Sequence, residues 1–250
     1  MSDLPPYLSL SERIWYYAFR ILCGAIFFFL VFPLVVIIPL SFNAVPFFTF
    51  TKEMLAFDPA GYSLKWYEDF FTNLNWQGAV QNSVIIAIFS TLISTTLGTL
   101  AALGLSRAQM PYRTLIMSIL ISPMIVPLII SAAGMFFFYS RIGIQGTHIA
   151  VILAHAALGT PFVVITVTAT LSGFDNNLIR ASSSLGAPPS TTFFRVIVPL
   201  ITPGVISGAL FAFITSFDEV VVVLFVGSYR QRTIPLSLIH ISEPTRQFAI

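Results

Sequence analysis

The chain has 250 residues, 56% of them hydrophobic and 9% charged, with 25 Phe and a mean hydropathy of +0.90. A water-soluble domain carries about a quarter charged residues, so this composition indicates a multi-span membrane protein rather than a soluble domain. The net charge of +2 is small and the basic residues are scattered, which leaves no basic stripe for a nucleic acid. Cys23 is the single cysteine. It reads as a small membrane-buried hydrophobe, and no internal disulfide is possible.

In chain order, residues 1–20 read as a short polar and aromatic tail, with Arg13, Arg20 and interfacial Trp15, Tyr16 and Tyr17. Ile21 to Phe42 is uncharged over 22 residues, too long for a signal-peptide core and with no cleavage site after it. It is the first expected span (21–42), kinked at Pro33 and Pro39. Asn43 to Trp76 is a mixed segment holding both lysines, Lys52 and Lys65, and four carboxylates; it is expected outside the membrane. Further apolar runs follow at 79–105, 114–140, 147–171 and 200–226, each long enough for a bilayer crossing of roughly 20 residues. Pro123 and Pro127 interrupt the third expected span. His148 and His155 are seven apart and can share a helix face. With no third ligand or carboxylate near them, they read as an interfacial and a packed histidine rather than a metal pair.

Positive charge gives a weak guide to orientation. Arg107 and Arg113 in a tight turn are the best local positive-inside signal, but over the whole chain the two sides are nearly tied. Helix alternation puts the amino terminus, that turn and the polar stretch 175–199 on one side.

That stretch, DNNLIRASSSLGAPPSTTFFRVIVP, is the polar, turn-rich passage of the second half. Asp175 to Asn177 can cap a first short helix over about 178–185, which Gly186 ends in a left-handed turn. Pro189 suits the first turn of a second helix running through Phe193 and Arg195. Eight residues make roughly 12 Å of helix, too short to span a bilayer but long enough to present a face to a partner. The stretch resembles the "EAA loop" of the membrane subunits of ABC importers, which reads Glu-Ala-Ala, three residues, Gly, nine residues, then Ile-x-Leu-Pro. Ala181, Gly186, Val196, Val198 and Pro199 fall at matching positions, whereas Arg180 replaces the Glu and Ser182 the second Ala. The resemblance extends to Ser63-Leu64-Lys65-Trp66-Tyr67, Asn82-Ser83, the run from Ala101 to Arg107, and Thr233-Ile234-Pro235.

The run 200–226 contains Asp218 and Glu219, and carboxylates at membrane depth normally face a bundle interior or a water-filled path. Ser216-Phe217-Asp218-Glu219 resembles the spermidine/putrescine-type branch of these permeases, where an acidic group in the path would suit a cationic amine. The alternative is a packing or gating pair unrelated to substrate.

The resemblance implies an all-α, polytopic type I ABC importer permease, with five transmembrane helices present and a sixth lost to truncation. It also implies a bacterial cytoplasmic (inner) membrane location, with the amino terminus cytoplasmic. Leu236 to Arg246 looks like an in-frame translation of a sequencing-library adapter, so 236–250 is expected to be an artefact. The implied partners are a cytosolic ABC ATPase dimer, a second permease subunit, an extracytoplasmic substrate-binding protein and membrane lipid. Leu178, Ile179, Leu185, Phe193 and Phe194 are the candidate apolar anchors on the ATPase, with Arg180, Ala181, Gly186 and Pro199 in the same coupling loop. Asp218 and Glu219 are the candidate substrate-path residues.

Neither lysine follows a glycine, so the chain has no Walker motif, and no nucleophile or metal motif replaces it. The chain is expected to be no enzyme and to bind no cofactor; ATP and magnesium belong on the partner ATPase. Two other readings stay open: an ion-coupled secondary transporter using Asp218 or Glu219, and a non-transporting membrane scaffold.

Overall fold

The structure is a computed structural model that describes residues 9–107, 109–175 and 177–241, with side chains as far as Leu238. It divides into two compact units, Met1–Asn73 and Leu74–Ile250. Among the described residues, four helices are long and apolar enough to cross a membrane, or five if one sharply bent pair is a single span.

In the first unit, α1 (Leu10–Leu40) starts well before the expected Ile21. The reason is a capping box in the polar tail: Ser9 Oγ accepts from Glu12 N, and Ser9 N donates to the Glu12 carboxylate at 2.8 Å. Residues 10–20 are therefore helix. After α1 the chain folds around Asn43, which is 2% exposed. Its Nδ2 donates to Phe47 O and Thr49 O, and its Oδ1 accepts from Val45 N at 3.0 Å. Trp66 Nε1 donates to Asn43 O at 2.8 Å, fastening α3 (Lys65–Thr72) to the same hub. Between them lie α2 (Lys52–Leu55), which buries Met54, and a 3-10 turn at Pro59–Gly61. The segment expected as an external loop is thus an ordered substructure with its own polar centre.

The second unit is built on α4 (Leu74–Leu105), α7 (His148–Ser172) and α10 (Val198–Phe217). Contacts fix their directions. Asn82 meets His148 and Ser94 meets Ala156, so α4 and α7 run parallel. Ser216 meets Ser90 and His155 while Ala212 faces Gly159, so α10 runs antiparallel to both. Small residues allow the close approach that lipid-embedded helices need. A Cβ on Gly208 would lie 2.8 Å from Val163 Cα, so α10 packs there with backbone nearly against backbone.

The expected span 114–140 is broken. α5 (Arg113–Ile125) and α6 (Leu128–Arg141) meet at 103°. Pro127 excludes helical geometry at the residue before it, and Val126 is accordingly extended (φ −69°, ψ 133°). The expected span 200–226 also stops short: α10 ends at Phe217 and a separate α11 (Val221–Val226) follows. Beyond a 3-10 turn at Tyr229–Gln231, α12 (Ile234–Ile241) packs on α4 with Ile234 N donating to Ser83 Oγ at 2.8 Å. Of the tail read as adapter-derived, residues 242–250 lie outside the described ones.

Candidate functional site: a two-helix loop and a broken helix

At the end of the second unit where α4 and α7 both finish, the polar stretch forms two short helices as its sequence requires. α8 (Asn177–Ser184) begins at an Asx turn in which Asn177 N donates to Asp175 Oδ1 at 2.9 Å. It ends in a Schellman motif: Ala187 N donates to Ser182 O and Gly186 N to Ser183 O, both at 3.0 Å, with Gly186 at φ +77°. α9 (Pro189–Thr192) then opens on a proline. Ser182 Oγ and Thr192 Oγ1 lie 2.8 Å apart and clip α8 to α9. The Ser182 departure from the EAA pattern is thereby given a use, one that its sequence position alone did not reveal.

The second short helix runs straight into α10, so Pro189–Phe217 is one helix of 29 residues. Within it Phe193–Ile197 is a wide turn in which Val198 N reaches back to Phe193 O. Pro199 accounts for this turn: it has no N–H to give Arg195 O and its ring crowds that carbonyl. The apolar candidates separate into two sets. Leu178, Leu185 and Phe194 are exposed, Leu185 at 88%, while Ile179 and Phe193 are half-buried. Arg180 and Ala181 are exposed on α8. The loop therefore presents three outward apolar side chains on a stiff two-helix frame.

The second feature is the break between α10 and α11. Read as neighbours within one helix, Asp218 and Glu219 point about 100° apart. The structure corrects this: they form the break itself, with Asp218 as the C-cap of α10 (φ −92°, ψ −1°). Glu219 is buried, and its Oε1 accepts from Val222 N at 3.0 Å, capping α11. Asp218 is exposed, and its carboxylate has no partner among the described residues. The break lies level with Ser90, halfway along α4. Non-helical backbone at such depth is tolerated where it is buried in protein or lines a polar cavity. The two carboxylates have different surroundings and different capacities: Glu219 is used internally, and Asp218 faces outward.

The histidines are both structural in their contacts. His148 Nε2 donates to Asn82 Oδ1 at 2.9 Å, while Asn82 Nδ2 donates to Arg230 O and Arg232 O, closing the opposite end of the unit. His155 is buried against Ser216. Among the described residues no group of His, Cys, Asp and Glu is placed to hold a metal.

Comparison with known proteins adds the family. Residues 94–247 match the family model described as "Binding-protein-dependent transport system inner membrane component". The spermidine/putrescine transport system permease protein PotC of Haemophilus influenzae is 30% identical over 213 residues, covering 85% of this chain and 80% of that protein. The putrescine transport system permease protein PotI of Escherichia coli K12 is 28% identical over 217 residues, covering 84% and 74%. The crystal structure of a bacterial ABC transporter involved in the import of the acidic polysaccharide alginate superposes with a TM-score of 0.71 at 15% identity. That match covers 98% of this chain and 85% of the other, and it shows the shared fold. A self-contained ion-coupled transporter and a non-transporting scaffold are both disfavoured by these matches. The chain belongs to the binding-protein-dependent transport system inner membrane component family: it is a permease subunit of an ABC importer, not itself an enzyme, and works with a separate ATPase and a substrate-binding protein.

Proposed function

We propose that the chain forms part of the membrane path for a cationic amine of the polyamine class, and that its EAA-like loop takes the push of a cytosolic ATPase dimer. The observation that carries the substrate class is Asp218, an exposed carboxylate at the C-terminal end of a 20-residue helix. The helix end carries partial negative charge, and the carboxylate adds to it. Cation sites at membrane depth are built from such interrupted helix ends. The names of the PotC and PotI relatives support the same class.

Coupling follows from continuity. Leu178, Leu185 and Phe194 would seat in the ATPase groove, with Ile179 and Phe193 packed behind them. The Schellman turn at Gly186 and the Ser182–Thr192 clip keep the two short helices rigid. Because α9 continues into α10, closure of the ATPases would move a rod of roughly 43 Å as a rigid body. Its far end is Asp218. In this reading a second permease subunit completes the path and an extracytoplasmic binding protein delivers substrate. The ATPases hold ATP and magnesium, and the coupling loop, the Arg107–Arg113 turn and the amino terminus lie on the cytosolic side of the bacterial inner membrane.

The test is uptake of labelled spermidine by the assembled importer carrying Asp218→Asn. Loss of this exposed carboxylate should lower the rate about tenfold, the equivalent of roughly 1.4 kcal/mol. Wild-type uptake by that variant would rule out Asp218 as a path group.

A further inference from the structure

Ser216 lies in the last turn of α10, two residues before Asp218, and its hydroxyl is where three helices meet. Ser90 Oγ of α4 donates to it at 2.9 Å, and His155 Nδ1 of α7 lies 2.8 Å away. Ser90, His155 and Ser216 are all buried, at 1%, 1% and 4% exposure. The contact with Ser216 uses His155 Nδ1, which leaves the other ring nitrogen, Nε2, for a second partner. That Nε2 finds no hydrogen-bond partner among the described residues. A side chain that served to fill space would be apolar and would leave no buried ring nitrogen without a partner. On the far side of the break, Glu219 is tied to α11 through its cap. Asp218 stands between two anchored neighbours.

We infer that His155, acting through Ser216, is a positioning residue for the substrate path, aiming the Asp218 carboxylate. The inference rests on the reading of Asp218 as a path group. Its physical basis is the weakness of a helix end. The last carbonyls of α10 lack helical partners, so its final turn can fray or rotate. Each residue step turns the helix by about 100°, so a small unwinding redirects a C-cap side chain completely. A hydroxyl bonded to both neighbouring helices removes that freedom. A charged group meant to meet a substrate needs this support from the shell behind it.

The experiment is spermidine uptake by the complete importer, normalised to complex that copurifies with its ATPase. It compares Asp218→Asn, His155→Phe, Ser216→Ala and the double variant His155→Phe/Asp218→Asn, with His155→Asn and Ser216→Thr as rescues. His155→Phe and Ser216→Ala should each lower uptake about fivefold or more. His155→Asn, which keeps a polar atom where Nδ1 stands, and Ser216→Thr should stay within about twofold of wild type. In the double variant the histidine change should add nothing to the loss from Asp218→Asn, since groups acting as a unit are not additive. If Asp218→Asn is impaired while His155→Phe and Ser216→Ala transport normally, the positioning role fails and the path reading stands. If the single losses multiply in the double variant, His155 acts on the fold and not through Asp218. Normal uptake by Asp218→Asn removes both readings together. Should His155→Phe not assemble, Ser216→Ala paired with Asp218→Asn gives the same three outcomes.

Discussion

Asp218 and Glu219 differ by one methylene and one position, yet their surroundings give them separate work. Glu219 accepts a backbone N–H at 3.0 Å and is buried, so its oxygen matters more than its charge. Glu219→Gln keeps an acceptor at that place and should transport within about twofold of wild type. Glu219→Ala removes the cap and should cost about 1 kcal/mol of stability, measured as a fall in the melting temperature of the purified complex. Asp218→Asn should impair uptake while leaving that temperature unchanged. Parallel loss of transport in Glu219→Gln and Asp218→Asn would contradict the division between them. The sequence marks both residues as unusual for a membrane segment, but not which of them is free. Distinguishing them requires the break, and Phe217 and Val220 to Val223 read as uninterrupted apolar helix with neither Gly nor Pro to announce one.

At the scale of the element, legibility follows the presence of residues with one preferred conformation. Gly186 announces the end of α8 because φ +77° is costly for any residue with a Cβ. Pro127 announces a break between α5 and α6, though a proline sets no angle and the 103° bend depends on packing. The capping box that starts α1 at Leu10 was present as Ser9-x-x-Glu12, concealed within a stretch read as tail. Ser182 and Ser216 were illegible, since each is a common polar residue whose partner is distant in sequence or on another helix; Asn43 was illegible because its side chain holds a loop of irregular backbone at Phe47 and Thr49 that no motif marks. Two substitutions test the elements directly. Gly186→Val puts a β-branched residue into the left-handed region at a cost of about 1–2 kcal/mol. It should loosen the angle between α8 and α9, so that uptake falls while the subunit still inserts and the ATPase still hydrolyses ATP. Unchanged uptake would show that the turn does not aim the coupling surface. Gly208→Leu drives a side chain into the Val163 backbone, and overpacking of this kind costs about 1–3 kcal/mol. Its signature should be a lower melting temperature and less assembled complex, rather than altered transport per complex.

On the scale of the whole molecule, the second unit is a three-helix core with a different job at each place along it. One end carries exposed apolar residues on a clipped helix pair, and the other is closed by Asn82, His148 and the Arg230 turn. Halfway along α4, the long helix from Pro189 reaches the break at Asp218. In the proposed reading, that continuity would turn a push on the loop into a movement at the path without further moving parts. In the proposed reading, ATP acting through this rod drives inward movement of a cationic amine. Its most direct measurement is spermidine uptake into proteoliposomes bearing the permease pair and ATPases, with binding protein outside, ATP inside and ion gradients collapsed. On that reading uptake requires enclosed ATP, is indifferent to the gradients, and falls about tenfold with Asp218→Asn. Uptake that proceeds without ATP and follows an imposed proton or sodium gradient would contradict it.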